Sequence, residues 1–209
     1  MTAGPRRTPL WLALGFAAGL SAAVAALSLR GTGETGVQLG VILVARVAFV
    51  AFFPAYTAGA LSRLVALPAL ARLARHGREC GLAFAGALAV HLAMVGWLFV
   101  VAAKPPVGDA VIATFGLGAL WAYVLTLFSV PRFGAVFATR TGRVFRTLGM
   151  EYIAALFLYD FVVLPLETGV SHPLEYAPFV LLSIAGPLIR LAALLRQGRG
   201  IRRYSPHPP

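Results

Sequence analysis

The residues best suited to do chemistry in this chain are a histidine and a few charged side chains within long apolar stretches. His91 lies in the apolar run 81–103, at a helical depth of ~15 Å beyond Gly81. A polar group at this depth in hydrocarbon is unfavourable without a partner and usually marks a functional site. A neutral histidine that is hydrogen-bonded between two helices explains the same pattern, and the residue types do not decide between these interpretations.

Arg46 and Asp160 are two further charges within apolar runs. By helical rise they lie ~14 Å and ~9 Å from the outer ends of their runs. Each needs a counter-charge at such depth, so we expect the two to pair, with a transport or proton-relay role as the alternative. Glu151 lies near the inner end of the run that carries Asp160, within reach of the inner arginines. A separation of nine residues places the two carboxylates on opposite sides of one helix, where they make a poor acid/base pair.

Other kinds of catalytic site are absent from the sequence. The single Cys80 excludes an intrachain disulfide and a cysteine-only metal site, and we expect its thiol to be inert. No nucleophile–base, Walker-type or zinc-ligand spacing occurs, and no nucleic-acid-binding motif. A flavin- or nicotinamide-binding domain requires a βαβ fold with a Gly-rich turn, for which the segment 196–209 is too short.

The elements that must position these residues are membrane-spanning helices. The chain is 59% hydrophobic and 12% charged, with a mean hydropathy of +0.84, which is typical of an integral membrane protein. Apolar runs near the ~20 residues that a bilayer requires occur at 9–29, 37–61, 81–103, 110–130, 148–166 and 176–195. We therefore predict an all-α integral membrane bundle of six transmembrane helices, a single domain over residues 1–209 with a basic tail at 196–209.

Basic residues alternate between the two ends of the predicted spans. The net charge is +11, from 18 Lys+Arg against 7 Asp+Glu. One side carries Arg6, Arg7, Arg63, Arg72, Arg75, Arg78, Arg132, Arg140, Arg143, Arg146, Arg190, Arg196, Arg199, Arg202 and Arg203, whereas the other carries Arg30 and Lys104. By the positive-inside rule, both termini are cytoplasmic. The expected partner of this charge is the lipid bilayer of a cell membrane, with anionic headgroups ahead of nucleic acid.

The segment around His91 resembles a motif of the ferric reductase-like transmembrane domain superfamily, which includes the haem-binding membrane subunit of the bacterial methionine sulfoxide reductase system. A basic segment is followed by Arg78-x-x-Gly81-Leu82-x-Phe84, and His91 stands ten residues after the glycine. The likeness covers nearly the whole chain as architecture. The specific motif is confined to 75–91 and, more loosely, to 145–159.

The resemblance implies that histidines of the third and fifth spans bind b-type haem. It also implies electron transfer in the bacterial inner membrane, from a separate cytoplasmic flavin-type donor to an acceptor at the outer face. His91 matches the third-span ligand. Arg146 stands where a fifth-span histidine is expected, and Tyr159 and Asp160 stand where the second ligand is expected. Arginine cannot ligate iron because it stays protonated.

Three functions remain open on these residues. The first is an electron-transfer protein whose haem is bound by His91, alone or with Tyr159, because a tyrosinate can be an axial ligand, or is held differently in an oligomer. The second is a haem-free six-helix scaffold or assembly factor, in which His91 is only hydrogen-bonded between helices. The third is a small transporter or proton relay that uses Arg46, Asp160 and Glu151.

Overall fold

The computed structural model is helical and describes residues 8–129, 133, 139–168 and 173–202. The long helices are α1 (Thr8–Arg30), α2 (Glu34–Leu64), α4 (Gly77–Val101), α5 (Asp109–Phe128), α6 (Arg140–Leu158) and α8 (Pro173–Arg202). Helix α3 (Pro68–Arg75) connects α2 to α4, and α7 (Leu164–Thr168) follows α6 through a π-helical turn, Tyr159–Val163. Six segments are long and apolar enough to cross a membrane, and the described residues contain no strand. The predicted all-α membrane fold is confirmed.

The helices extend further than the apolar runs, chiefly at the basic end. Helix α4 begins at Gly77 instead of residue 81, α6 begins at Arg140 instead of 148, and α2 continues to Leu64 instead of ending at 61. Arginine is a good helix former, so a helix continues where an apolar run stops. Several arginines that the prediction placed in loops lie on helices in the structure, among them Arg63, Arg78, Arg143 and Arg146.

Helices α2 and α4 form the centre of the bundle, and α1 packs against both. The contact between α1 and α4 depends on Gly15 and Gly86, where a Cβ atom would overlap the backbone of the opposite helix. Glycine at such positions allows close approach of two helices in a membrane. On the other side, α5 packs on α6, and α8 packs on α2 and α6.

Aromatic side chains fill the space between α2, α4 and α6. The ring of Phe52 lies 5.3 Å from that of Phe84 and 5.2 Å from that of Phe157, between ring centroids. Phe49 lies 5.0 Å from Phe157 and 5.1 Å from Phe161 in edge-to-face arrangements. These separations are in the range that favours aromatic pairs. The middle of the bundle is therefore a packed aromatic core.

The π-helical turn has a local cause in the sequence. Pro165 has no N–H group to donate to the Phe161 carbonyl four residues earlier, so the regular α-helical hydrogen bond cannot form there. The N–H of Leu164, the residue before this proline, bonds the carbonyl of Tyr159, five residues back. Such turns within helices are frequent at functional sites, and this one contains Asp160.

Helix α3 is amphipathic and lies on the surface of the basic end. None of its residues is buried, and helical spacing places Leu70 and Leu73 on one side and Arg72 and Arg75 on the other. The outward faces of the long helices are also apolar: Val100 is 83% exposed and Leu29 is 73% exposed. These surfaces suit hydrocarbon, and the chain is a multi-pass membrane protein that contacts the lipid bilayer.

Candidate functional site

A cavity of about 700 Å³ lies at the basic end of the bundle, between α2, α4, α5, α6 and α8. Ala74 of α3 also contributes to its wall. Among the residues that the structure describes, the charged residues in this lining are five arginines and one glutamate: Arg63, Arg78, Arg143, Arg146, Arg190 and Glu151. We call this space the arginine cavity.

The ends of three helices carry four of these arginines. Arg63 lies in the last turn of α2, where its Nε donates to the Gly59 carbonyl at 2.9 Å. Arg78 lies at the start of α4, and its Nε donates to the Ser129 carbonyl at the end of α5 at 2.8 Å. Arg143 and Arg146 lie in the first two turns of α6, three residues apart and therefore on one face.

The fifth arginine, Arg190, belongs to a network that joins three helices. Its Nε lies 2.7 Å from Glu151 Oε1, a close ion-pair contact without the alignment of a hydrogen bond. Tyr56 donates its hydroxyl to Glu151 Oε2 at 2.5 Å. The Arg190 guanidinium also lies 4.6 Å from the Tyr56 ring centroid and donates from Nη1 to the Tyr56 carbonyl at 3.2 Å. The network ties α2, α6 and α8 together at the wall of the cavity.

Apolar residues form the deep end of the arginine cavity. Phe52, Phe84 and Ile153 all line it, and all three belong to the buried aromatic and aliphatic core. Ala122 and Leu125 of α5 complete this region. The cavity is therefore cationic along part of its wall and apolar along another part, an arrangement that suits a ligand with an anionic group and an apolar body.

His91 lies outside this cavity lining, two helical turns beyond Phe84 on α4. Its ring interacts with the backbone carbonyl of Val41 on α2. The Nδ1 atom is buried and has no aligned hydrogen-bond partner among the described residues. The ring of His91 therefore lies between α4 and α2, with its Nδ1 unsatisfied among the described residues.

Arg46 and Asp160 do not form the predicted ion pair in the described part of the chain. The Arg46 guanidinium lies over the rings of Tyr176 and Phe179, 4.9 Å and 5.2 Å from their centroids, and no described residue forms a hydrogen bond with its Nε. Cation–π attraction is thus the interaction observed for this charge. The prediction matched the two residues by depth, but depth does not fix direction around a helix axis, and Arg46 faces α8.

The two residues that the family resemblance singled out on the fifth span lie at opposite ends of it. Tyr159 begins the π-helical turn, and its ring lies edge-to-face with Phe115 of α5 at 6.2 Å between centroids. Arg146 lines the arginine cavity at the basic end. Glu151, expected near the inner arginines, is indeed paired with Arg190.

A haem between His91 and Tyr159 would need an open slot with the two side chains on opposite faces. The ring of Tyr159 instead packs edge-to-face against Phe115 of α5, 6.2 Å away between ring centroids. The buried, unsatisfied Nδ1 of His91 could serve as one axial ligand of a haem iron. His91 and Tyr159 together do not fit a haem in this arrangement. The described residues also contain no group of three or more His, Cys, Asp or Glu side chains that could hold a metal ion.

No protein-family model, curated protein or solved structure matches the chain.

Sequence reasoning missed the arginine cavity as a site. It assigned Arg63, Arg78 and Arg143 to loops on the evidence of hydropathy, and it treated them as determinants of orientation. The one sequence feature that pointed to this site was the spacing of Arg143 and Arg146, which lie three residues apart and directly ahead of a helical pattern. That spacing indicates one helical face, but it does not show which element the face meets.

The Tyr56–Glu151–Arg190 network gives a prediction for stability. Replacing Glu151 with Gln removes the counter-ion of Arg190, so the thermal unfolding temperature should fall. The Glu151 side chain is 44% exposed, and solvent screening limits the expected coupling with Arg190→Gln to about 1 kcal/mol in a double-mutant cycle.

The control for this cycle is Arg140→Gln, because Arg140 is an exposed residue of α6 outside the cavity lining. It should leave the unfolding temperature unchanged. Strictly additive effects of Glu151→Gln and Arg190→Gln would contradict an energetic link between the two side chains.

Proposed function

We propose that this membrane protein binds an anionic ligand with an apolar body in the arginine cavity. The observation that carries the proposal is the composition of the cavity wall, whose described residues combine five arginines and one glutamate with an aromatic deep end. The proposed function is that of a ligand-binding membrane protein.

The charge of the lining supports an anionic ligand. Glu151, its acidic residue, is already engaged by Arg190. The lining therefore has a formal excess of positive charge. Like charges grouped at one end of the bundle repel one another, and a bound anion would reduce this repulsion. Arginine suits phosphate and carboxylate groups because its planar guanidinium donates two parallel hydrogen bonds to them.

The size and the deep end of the cavity support a ligand larger than a simple ion. A volume of about 700 Å³ lies within the range of small-molecule sites. Phe52 and Phe84, which line it, continue into the aromatic core. An apolar group that reaches these rings would be buried away from water, while an anionic head would remain at the arginines.

We propose, as a second candidate, that His91 binds b-type haem and that the protein transfers electrons between a separate cytoplasmic flavin-type donor and an acceptor at the outer face. The buried and unsatisfied Nδ1 of His91 favours this candidate. The resemblance of the segment 75–91 to the ferric reductase-like superfamily also supports it. Haem would supply one-electron redox chemistry, and His91 would be its ligand from α4.

The first candidate predicts saturable binding of a long-chain phosphate. Titration of hexadecyl phosphate into the protein in a neutral detergent should raise its unfolding temperature, because a ligand that binds only the folded state adds about 2.7 kcal/mol of stability at 100 times its Kd. The double substitution Arg143→Gln/Arg146→Gln should remove most of this increase.

The matched control is Arg72→Gln/Arg75→Gln, which removes the same charge from exposed residues of α3 outside the cavity lining. It should retain the increase, and hexadecanol should give a much smaller one. Equal losses in the two double variants, or no saturable effect in the unmodified protein, would contradict the proposal.

The second candidate predicts a visible spectrum. Protein purified from haem-replete cells should show Soret and α bands in the reduced-minus-oxidised difference spectrum, because a b-type haem absorbs there. His91→Ala should abolish both bands. His76→Ala is the control, since His76 is half exposed and lies 3.7 Å from Glu79 at the start of α4; it should leave the bands intact. A spectrum without either band would exclude this candidate.

A further inference from the structure

We infer that the ligand of the arginine cavity is an anionic phospholipid of the membrane leaflet at the basic end, and that a lipid with two phosphates binds more tightly than a lipid with one. This inference rests on the proposed function, because it names the ligand class of the same site. The ligand's phosphates would bind the arginines, and its acyl chains would extend towards the apolar deep end.

The position of α3 places the cavity at the depth of lipid headgroups. An amphipathic helix with arginines on one side and leucines on the other lies in the membrane interface. Helix α3 has this pattern and no buried residue, and its Ala74 lines the cavity. Because one element belongs to both the interface and the cavity wall, the wall begins at the headgroup layer.

The arrangement of the arginines favours more than one phosphate. Arg63 and Arg78 belong to neighbouring ends of α2 and α4, whereas Arg143 and Arg146 share a face of α6. Arg190 is held by Glu151 and Tyr56 at another part of the wall. Two pairs of arginines on different helices present two groups of donors within one cavity. Basic pockets between transmembrane helices are suited to headgroups with several phosphates.

The partition of polar and apolar lining also matches a lipid better than a soluble phosphate. A small phosphate compound would use the arginines and leave Phe52, Phe84 and Leu125 uncovered. A phospholipid would cover both regions. Its headgroup would replace the hydration of the guanidinium groups, and its chains would bury apolar surface.

The test is native mass spectrometry of protein released from nanodiscs of phosphatidylcholine that contain equal mole fractions of phosphatidylglycerol and diphosphatidylglycerol. One diphosphatidylglycerol should be retained per protein, about tenfold more often than phosphatidylglycerol, because an added phosphate engages further arginines. Arg143→Gln/Arg146→Gln should lose the retained lipid, and Arg72→Gln/Arg75→Gln should keep it.

Two outcomes would overturn the lipid assignment without contradicting the proposed function. In the first, hexadecyl phosphate binds through Arg143 and Arg146, but no phospholipid is retained or its retention does not depend on these arginines. In the second, the increase in unfolding temperature with glycerol 1-phosphate, a headgroup without chains, equals the increase with either phospholipid. This increase is smaller than the one that hexadecyl phosphate gives. If neither hexadecyl phosphate nor any phospholipid depends on the cavity arginines, both the lipid assignment and the proposed function are overturned.

Discussion

The basic end of this protein depends on the contact of one carboxylate with an arginine and a tyrosine. Glu151 accepts the Tyr56 hydroxyl and pairs with Arg190, so three helices meet around a single negative charge. The surrounding wall is cationic, and its like charges repel one another. Glu151 offsets part of this repulsion and orients Arg190, which lines the same cavity as Arg63, Arg78, Arg143 and Arg146. The same contact therefore helps to hold the helices together and gives the cavity its positive character.

Much of the fold follows from the sequence because the bilayer imposes a length and a polarity on each helix. Hydropathy located all six spans, and the alternation of charge agreed with their number. Hydropathy could not locate the helix ends, because arginine continues a helix while ending an apolar run. The error was largest at α6, which begins at Arg140, and it removed Arg143 and Arg146 from the predicted helix.

The candidate site was less predictable than the fold because a site depends on the direction of side chains around each helix axis. Depth alone suggested that Arg46 and Asp160 would pair, yet Arg46 faces the rings of Tyr176 and Phe179. The position of Glu151 near the inner end of its span suggested that an inner arginine would pair with it, and Arg190 does so. The difference is that several arginines were available to Glu151, whereas Asp160 had a single candidate partner. A prediction with many acceptable partners tolerates errors of rotation, and a prediction with one partner does not.

The aromatic core and the arginine cavity divide the bundle into two regions with different roles. The rings of Phe49, Phe52, Phe84 and Phe157 fill the middle, and His91 is not among the residues that line the cavity. Arg146, which stands at the position of an expected histidine ligand, contributes to the cavity instead. A guanidinium cannot ligate a metal but binds anions well. Arg146 therefore contributes positive charge to the cavity.

The most direct measurement of the central claim is anomalous diffraction from crystals of the protein grown with hexadecyl phosphate that carries a bromine atom at the end of its chain. We predict a bromine peak beside Phe52 and Phe84 and phosphate density within hydrogen-bonding distance of Arg143 and Arg146. Bromine peaks confined to the lipid-facing surface, with water alone in the arginine cavity, would contradict the account.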